Sequence, residues 1–137
     1  MSDALKGLQI LVVEDDDDTR ELLRVLLETE GSAVTAAASV QEALSAYDQA
    51  RPDVIVADIG MPDYNGYALI GRVRSRDRER GNLVPAIALT AFTTAIDRDT
   101  VLSAGFQVHM PKPFEPSRLI SVISELAAKY GQTSPNP

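Results

Sequence analysis

Short apolar runs alternate with amphipathic segments along most of the chain. Positions 8–13 form an apolar run with β-branched residues, which predicts a buried strand. Positions 19–29 then place leucines and a valine at helical spacing, which predicts an amphipathic helix. The same alternation predicts further strands at 32–37, 53–57, 84–89 and 106–110. A helix follows each of them. The second helix starts at Ser39, where the capping-box pattern runs to Glu42, and the others lie around Tyr67 to Val73, at about Ala95 to Ala104, and from Pro116 onwards.

Five strand and helix pairs predict an α/β domain whose parallel sheet is covered by helices on both faces. We expect the domain to span 8–128, with an N-terminal extension at 1–7 and a C-terminal tail at 129–137. In such sheets the functional crevice lies outside the carboxyl ends of the strands. The residues at those ends are Glu14 and Asp15, Asp58, Thr90 and Lys112.

Composition narrows the function classes. The chain has 137 residues, of which 45% are hydrophobic, as expected for one globular domain with a real core. It has no signal-peptide pattern and no apolar run long enough for membrane insertion, so we expect a cytoplasmic protein. The absence of cysteine excludes disulfides, thiolate metal sites and cysteine nucleophiles.

The charge distribution argues against direct nucleic-acid binding. The formal net charge is −7, which disfavours contacts to phosphates. Five arginines alternate with other residues at 72–80, but Asp77 and Glu79 interrupt them and no aromatic residue accompanies them. We therefore interpret this run as a solvated helix end.

Five consecutive carboxylates follow the first predicted strand, at 14–18. Asp17 and Asp18 fall at the start of a helix, where acidic side chains cap free N–H groups and meet the positive end of the helix dipole. Glu14 and Asp15 instead lie near the point where Asp58 emerges. Three carboxylates in one crevice repel one another unless protons or a cation offset the charge. Oxygen ligands suit Mg²⁺ or Mn²⁺; the alternative is a simple acidic surface loop.

Residues at two further strand ends favour a functional crevice over a simple acidic surface loop. Lys112, one of three lysines, directly follows the last strand and provides a positive charge that can hold a phosphoryl oxygen. Thr90 ends the fourth strand, and its hydroxyl can donate a hydrogen bond to a bound oxyanion. Taken alone, each of these residues also fits an ordinary structural role.

Four motifs, each at a strand end and in this order, resemble those of response-regulator receiver domains in two-component signalling. They are LVVEDD, DVIVADIGMPDYNGYAL, ALTAF and GFQVHMPKPF, within a match covering about 8–128. The resemblance implies a flavodoxin-like, doubly wound sheet of five strands in the order 2-1-3-4-5 with five helices. It also implies phosphoryl transfer from a phosphohistidine to Asp58.

The resemblance assigns roles to individual residues. Mg²⁺ is held directly by Asp15, Asp58 and the main-chain carbonyl of Gly60, and through water by Glu14. The phosphoryl group is bound by Thr90, Lys112 and the main chain of Ala91. Thr90 and the residue three before Lys112 form the switch of the family, and this second position holds His109 where an aromatic residue is common. A half-exposed edge-strand histidine is the other interpretation, and a switching histidine would make the output pH-sensitive.

The expected function is a phosphorylation switch, not a turnover enzyme. Its expected partners are a histidine kinase or histidine phosphotransfer protein and a downstream protein that reads the surface of helix 4, strand 5 and helix 5. We expect a monomer or a weak phosphorylation-dependent dimer, of the kind found stand-alone or in hybrid kinases. The alternatives are an aspartate-nucleophile phosphatase, which the absence of an acid two residues after Asp58 disfavours, and a receiver-like module that is not phosphorylated.

Overall fold

The computed structural model describes residues 3–59, 66–90 and 95–130. Within these ranges, five strands alternate with five helices. The strands are β1 (Gln9–Val13), β2 (Ala33–Ala37), β3 (Val54–Asp58), β4 (Ala86–Thr90) and β5 (Val108–Pro111). The helices are α1 (Asp17–Thr29), α2 (Val40–Gln49), α3 (Gly66–Arg80), α4 (Ala95–Ala104) and α5 (Pro116–Tyr130).

The strands form one parallel sheet in the order β2-β1-β3-β4-β5, which confirms the predicted topology. The strand order reverses at β1, so that the carboxyl ends of β1 and β3 flank the point where such sheets form a crevice. Val13 of β1 is paired with Ala57 of β3. The next residues, Glu14 and Asp58, therefore leave the sheet side by side.

Alternating side chains of the strands divide the core into two layers. In β1, Ile10 and Val12 pack against α1 and α5, whereas Leu11 and Val13 pack against the layer of α2, α3 and α4. In β4, Ile87 and Leu89 face the first layer and Ala86 and Ala88 the second. Both faces of the sheet are therefore buried, as the apolar runs predicted.

Side-chain caps fix where α1 and α2 begin. Asp16 precedes α1 and accepts a hydrogen bond from the main-chain N–H of Thr19 at 2.9 Å. Ser39 caps α2 by accepting from the N–H of Glu42 at 3.1 Å, and the Glu42 carboxylate accepts from the N–H of Ala38 at 2.8 Å. The predicted capping box is thus present, although Glu42 bonds one residue before Ser39.

Three strands lie slightly later in the chain than predicted. β4 begins at Ala86 and not at Val84, because side chains already bond the main chain of Val84. Its N–H donates to the Asp77 carboxylate at 3.1 Å, and its carbonyl accepts from Arg74 at 2.6 Å. β3 runs to Asp58, which is paired with Leu89, and β5 runs from Val108 to Pro111.

The ordered core extends slightly beyond the predicted domain boundaries. Leu5 is fully buried in the α1 and α5 layer, and its N–H donates to the Glu30 carbonyl at 3.0 Å. At the other end α5 continues to Tyr130. Within the described residues, no helix combines the length and the apolar character needed to span a membrane.

Candidate functional site

Asp58 is a buried carboxylate at the carboxyl end of β3. Only 2% of the residue is exposed, and Lys112 Nζ donates a hydrogen bond to its Oδ2. The Lys112 side chain is itself 31% exposed, so the pair lies at the floor of a crevice that opens to solvent. The ion pair with Lys112 offsets part of the free energy that burial of this carboxylate costs.

The ends of β4 and β5 hold Lys112 in place. Thr90, the last residue of β4, is paired with Pro111 of β5. The Thr90 carbonyl accepts a hydrogen bond from the main-chain N–H of Lys112 at 2.9 Å. This bond extends the parallel ladder by one residue and places the lysine beside Asp58.

Glu14 is a second buried carboxylate in this crevice, with 1% of the residue exposed. Its Oε2 accepts from the N–H of Asp16 at 3.0 Å. Its Oε1 lies 3.9 Å from Lys112 Nζ and accepts no hydrogen bond from the described residues. We call Glu14, Asp58 and Lys112 the carboxyl-edge cluster, because they lie at the carboxyl ends of the strands.

Burial and a neighbouring charge make the Glu14 carboxyl hard to ionise. Burial is the largest cause that raises its pKa, to about 7, and a hydrogen bond with the Asp58 side chain and repulsion by its charge raise it further. The N–H of Asp16 and the charge of Lys112 partly offset this rise. Near neutral pH this carboxyl therefore takes up a proton readily, or binds a cation in its place.

The other acidic residues of the run lie at the surface. Asp15 is exposed, Asp16 caps α1, and Asp17 pairs with Arg20 at 2.5 Å. The described residues contain no group of three acidic, histidine or cysteine side chains arranged to hold a metal ion. Mg²⁺ is commonly held by one or two carboxylates and several waters, so it does not require such a group.

The family assignment comes from comparison with known proteins. The profile of the response regulator receiver domain matches residues 10–124. The chain belongs to this family. As a receiver domain, it is a signalling module of the two-component type.

Relatives of this receiver domain occur in proteins of different sizes. An uncharacterized 14.6 kDa protein of Leptolyngbya boryana is 45% identical over 126 residues, which cover 92% of this chain and 95% of that protein. Transcriptional regulatory protein TrcR of Mycobacterium tuberculosis is 35% identical over 83% of this chain, but the match spans only 43% of TrcR. Hybrid signal transduction histidine kinase D of Dictyostelium discoideum is 32% identical over 94% of this chain and 9% of that protein.

Solved structures agree with the fold. The receiver domain of Francisella response regulator 1452 superimposes with a TM-score of 0.81 at 27% identity, covering 90% of this chain and 98% of that domain. The relatives include both transcriptional regulators and a hybrid kinase. The prediction that this receiver domain is of the stand-alone or hybrid-kinase kind therefore stays a prediction.

The two predicted switch residues of the receiver domain face the same layer. Thr90 is fully buried, and His109 of β5 is paired with Ala88 of β4. Side chains alternate along a strand, so Thr90 and Ala88 point to one face, and His109 points there with its partner. That face is covered by α2, α3 and α4, and His109 is half-buried under it. Gly60 and Ala91, which were assigned main-chain roles, lie outside the described residues.

A second buried polar group was not predicted. It lies at the amino ends of the strands, which we call the amino edge of the sheet. The Asp77 carboxylate accepts hydrogen bonds from the Tyr47 hydroxyl, Arg51 and Arg74, and from the N–H of Val84. We call Tyr47, Arg51, Arg74 and Asp77 the amino-edge network. Burial, and then the bond to Asp77, raise the pKa of Tyr47 to about 12, so its hydroxyl remains a donor.

The interpretation of the arginine run as a solvated helix end is wrong for two of its residues. Arg74 and Asp77 are 9% and 4% exposed, whereas Arg72, Arg78 and Arg80 are exposed. The missed signal is position along α3. Arg74 and Asp77 share the buried stripe of the helix, which also contains Gly66, Leu69, Ile70 and Val73.

Proposed function

We propose that this receiver domain accepts a phosphoryl group on Asp58 from the phosphohistidine of a histidine kinase or histidine phosphotransfer protein. The observation that carries the proposal is the carboxyl-edge cluster. A buried carboxylate is paired with a lysine that reaches solvent, beside a second carboxylate with an oxygen that the described residues leave unsatisfied. Membership of the receiver family supports the same chemistry.

The transfer step uses Asp58 as a nucleophile. One Oδ atom attacks phosphorus, the bond from phosphorus to the donor imidazole nitrogen breaks, and the electron pair stays on that nitrogen. Lys112, which pairs with Asp58 before transfer, then bonds an oxygen of the phosphoryl group. We assign the Thr90 hydroxyl and the main chain of Ala91 to the other oxygens.

The residues present fit a divalent cation. Glu14 Oε1 is a buried oxygen without a hydrogen-bond donor among the described residues, and the donor set contains only oxygen ligands. Asp15, Asp58 and the Gly60 carbonyl would hold Mg²⁺ or Mn²⁺ directly, and Glu14 would hold it through water. When bound, the cation neutralises charge on the phosphoryl oxygens.

The output follows from where the predicted switch residues lie. Thr90 and His109 face the layer that contains α4, so we assign the output to the surface formed by α4, β5 and α5. A downstream protein would read this surface. We expect a cytoplasmic domain that is a monomer or a weak phosphorylation-dependent dimer, and that makes no direct contact with nucleic acid.

Phosphorylation with acetyl phosphate and Mg²⁺ tests the proposal. Wild type should gain the mass of one phosphoryl group, and Asp58→Asn should gain none, because an amide is a poor nucleophile. Asp48→Asn is the matched control, since Asp48 is an exposed aspartate on α2 that pairs with Arg76 at 2.7 Å. Undiminished labelling of Asp58→Asn would overturn the proposal. Rapid release of phosphate with repeated turnover of acetyl phosphate would favour the phosphatase alternative.

A further inference from the structure

The buried cation Arg74 joins α3 to the segments that precede β4 and β5. Its side chain is 11% exposed. Nε donates to the Gly105 carbonyl at 2.9 Å, and NH1 donates to the Val84 carbonyl at 2.6 Å. NH2 donates at 2.8 Å to Oε1 of Gln107, which also accepts from the N–H of Ala86 at 2.8 Å. One side chain therefore holds both segments at the amino edge of the sheet.

The described part of α4, residues 98–104, has few buried side chains. Between 98 and 104, where its side chains are described, Val101 alone is buried. Arg98, Asp99 and Thr100 are exposed, and Ala104 is half-buried. Because apolar burial is the main force that holds a helix on a sheet, the position of α4 depends strongly on its attachments at each end.

The carboxyl-terminal attachment of α4 is tight. Gly105, the residue after the helix, has a φ of +130°, which favours glycine. A Cβ on Gly105 would lie 3.2 Å from Arg74 Cγ and 3.2 Å from Ile70 Cγ1. The main chain therefore approaches α3 as closely as a glycine allows, and Arg74 bonds its carbonyl at that point.

The two ends of α4 lie at opposite edges of the sheet. Ten residues of α-helix span about 15 Å. The amino-terminal end follows Thr90 of β4, at the edge that carries Asp58, and the carboxyl-terminal end is held by Arg74 at the other edge. Along the chain, Thr90 is therefore nearer to the end of α4 that is farther from Arg74.

We propose that Arg74 is a positioning residue that fixes the carboxyl-terminal end of α4, so that phosphorylation turns the helix about this end. The turning rests on the proposed function, because it requires a change at Asp58 and Thr90. The attachment itself does not, because it is present in the unphosphorylated domain. The two parts can therefore be tested separately.

Amide hydrogen exchange without any phosphoryl analogue tests the attachment. In Arg74→Met, amides of 98–107 should exchange about tenfold faster or more relative to those of β1, as expected from the loss of charge-assisted hydrogen bonds. Arg76→Met is the matched control on the same helix, since Arg76 pairs with exposed Asp48 across to α2. In that control the ratio should stay within about twofold of wild type. Equal acceleration in β1 and α4 of Arg74→Met, or none in α4, would overturn the attachment.

Amide NMR shifts with beryllofluoride and Mg²⁺ test the turning. In wild type the shift changes along α4 should be largest near Arg98 and should decrease towards Ala104, and in Arg74→Met this gradient should disappear. Equal changes at both ends of wild type, or an unaltered gradient in the variant, would overturn it. Wild type that does not respond at all would instead overturn the proposed function.

A milder variant keeps both tests informative if Arg74→Met does not fold. Arg74→Lys retains a positive charge, but the three N–H donors of an ammonium cannot bond all four acceptors of Arg74, which are Asp77, Val84, Gly105 and Gln107. It should show the same two changes as Arg74→Met with smaller amplitude. Wild-type exchange and an unaltered gradient in Arg74→Lys would contradict the role of the guanidinium.

Discussion

The two edges of the sheet bury carboxylates to nearly the same extent but satisfy them very differently. Glu14 in the carboxyl-edge cluster and Asp77 in the amino-edge network are 1% and 4% exposed. The Asp77 carboxylate accepts hydrogen bonds from four described donors, whereas the Glu14 carboxylate accepts one, from the N–H of Asp16 to Oε2, and its Oε1 accepts none from the described residues. A buried acid by itself therefore does not indicate a functional site. The unsatisfied oxygen does, because burying it costs free energy that a ligand can recover.

The two edges also differ in the number of cations that face their carboxylates. Asp77 lies between two arginines, at 2.6 Å from Arg74 and 3.1 Å from Arg51, so its charge is fully compensated. At the other edge, Lys112 pairs with Asp58 and lies 3.9 Å from Glu14, so one cation faces two carboxylates. The amino-edge network thus has two cations for one carboxylate, whereas the carboxyl-edge cluster has one cation for two carboxylates.

The largest expected effect is at the amino edge. Asp77→Asn should lower the free energy of unfolding by about 3–5 kcal/mol, because the buried Arg74 and the half-buried Arg51 lose their anion. Urea unfolding at pH 7 measures this loss. Asp48→Asn, which breaks the exposed pair with Arg76, is the control and should cost less than about 1 kcal/mol. Equal losses in the two variants would mean that the amino-edge network contributes no more than a surface ion pair.

The opposite sign is expected at the carboxyl edge. The pKa of Glu14 is raised from 4.5 to about 7, so the folded state binds a proton more tightly than the unfolded state. The contribution of Glu14 to the stability of wild type should therefore fall as pH rises from 4.5 to 7, on the order of 3 kcal/mol. Glu14→Gln is neutral at every pH and should be more stable than wild type at pH 8 by this amount, with little difference below pH 4.5.

Thermal unfolding in chelator across this pH range measures the Glu14 effect, and Mg²⁺ sharpens the result. A cation bound by the charged cluster stabilises the folded wild type, so added Mg²⁺ should narrow the gap between wild type and Glu14→Gln at pH 8. If Glu14→Gln were less stable than wild type in chelator at pH 8, the charged Glu14 carboxylate would stabilise the fold and not destabilise it.

A smaller effect should follow from trimming the amino-edge network by one atom. Tyr47→Phe removes the hydroxyl that donates to Asp77 and leaves both arginines in place. The free energy of unfolding should fall by about 1 kcal/mol, because the carboxylate keeps three described donors. Urea unfolding beside Asp77→Asn tests this. A loss as large as that of Asp77→Asn would show that the hydroxyl, and not the ion pairs, holds the network together.

The alternation of strands and helices was readable from local apolar patterns, and the strand bounds to within one or two residues, whereas the strand order was predicted from the family resemblance. Apolar runs gave the strands, and the strand ends brought Asp58, Thr90 and Lys112 to one edge, where the sheet aligns them. Which member of the acidic pair is buried was not readable. Glu14 is buried and accepts the N–H of Asp16, whereas Asp15 is exposed, and both faces of β1 are buried, so the alternation of side chains does not distinguish them.

The amino-edge network escaped prediction because its residues are charged and lie in a charged run. A composition-based interpretation places Arg74 and Asp77 in solvent, whereas the helical position of each residue places both on the buried stripe with Ile70 and Val73. Their acceptors and donors come from Tyr47, 30 residues away, and from main-chain groups of two other segments. Hydrogen bonds between residues this far apart in the chain are set by the tertiary structure, so no local sequence pattern indicates them.

The smallest expected effect concerns His109, which lies on β5 between the carboxyl edge and the amino edge of the sheet. Thr90 and His109 face the same layer, so movement of the Thr90 hydroxyl towards a phosphoryl group should leave room for the imidazole to turn inward. The ¹H–¹³C NMR signals of the ring should therefore shift on addition of beryllofluoride and Mg²⁺ to wild type, and stay in place in Asp58→Asn. His109→Phe should retain phosphorylation, because the imidazole takes no part in the transfer step. An unchanged ring environment in wild type that binds the analogue would remove His109 from the switch, and would leave α4 and its attachment at Arg74 to carry the response from one edge to the other.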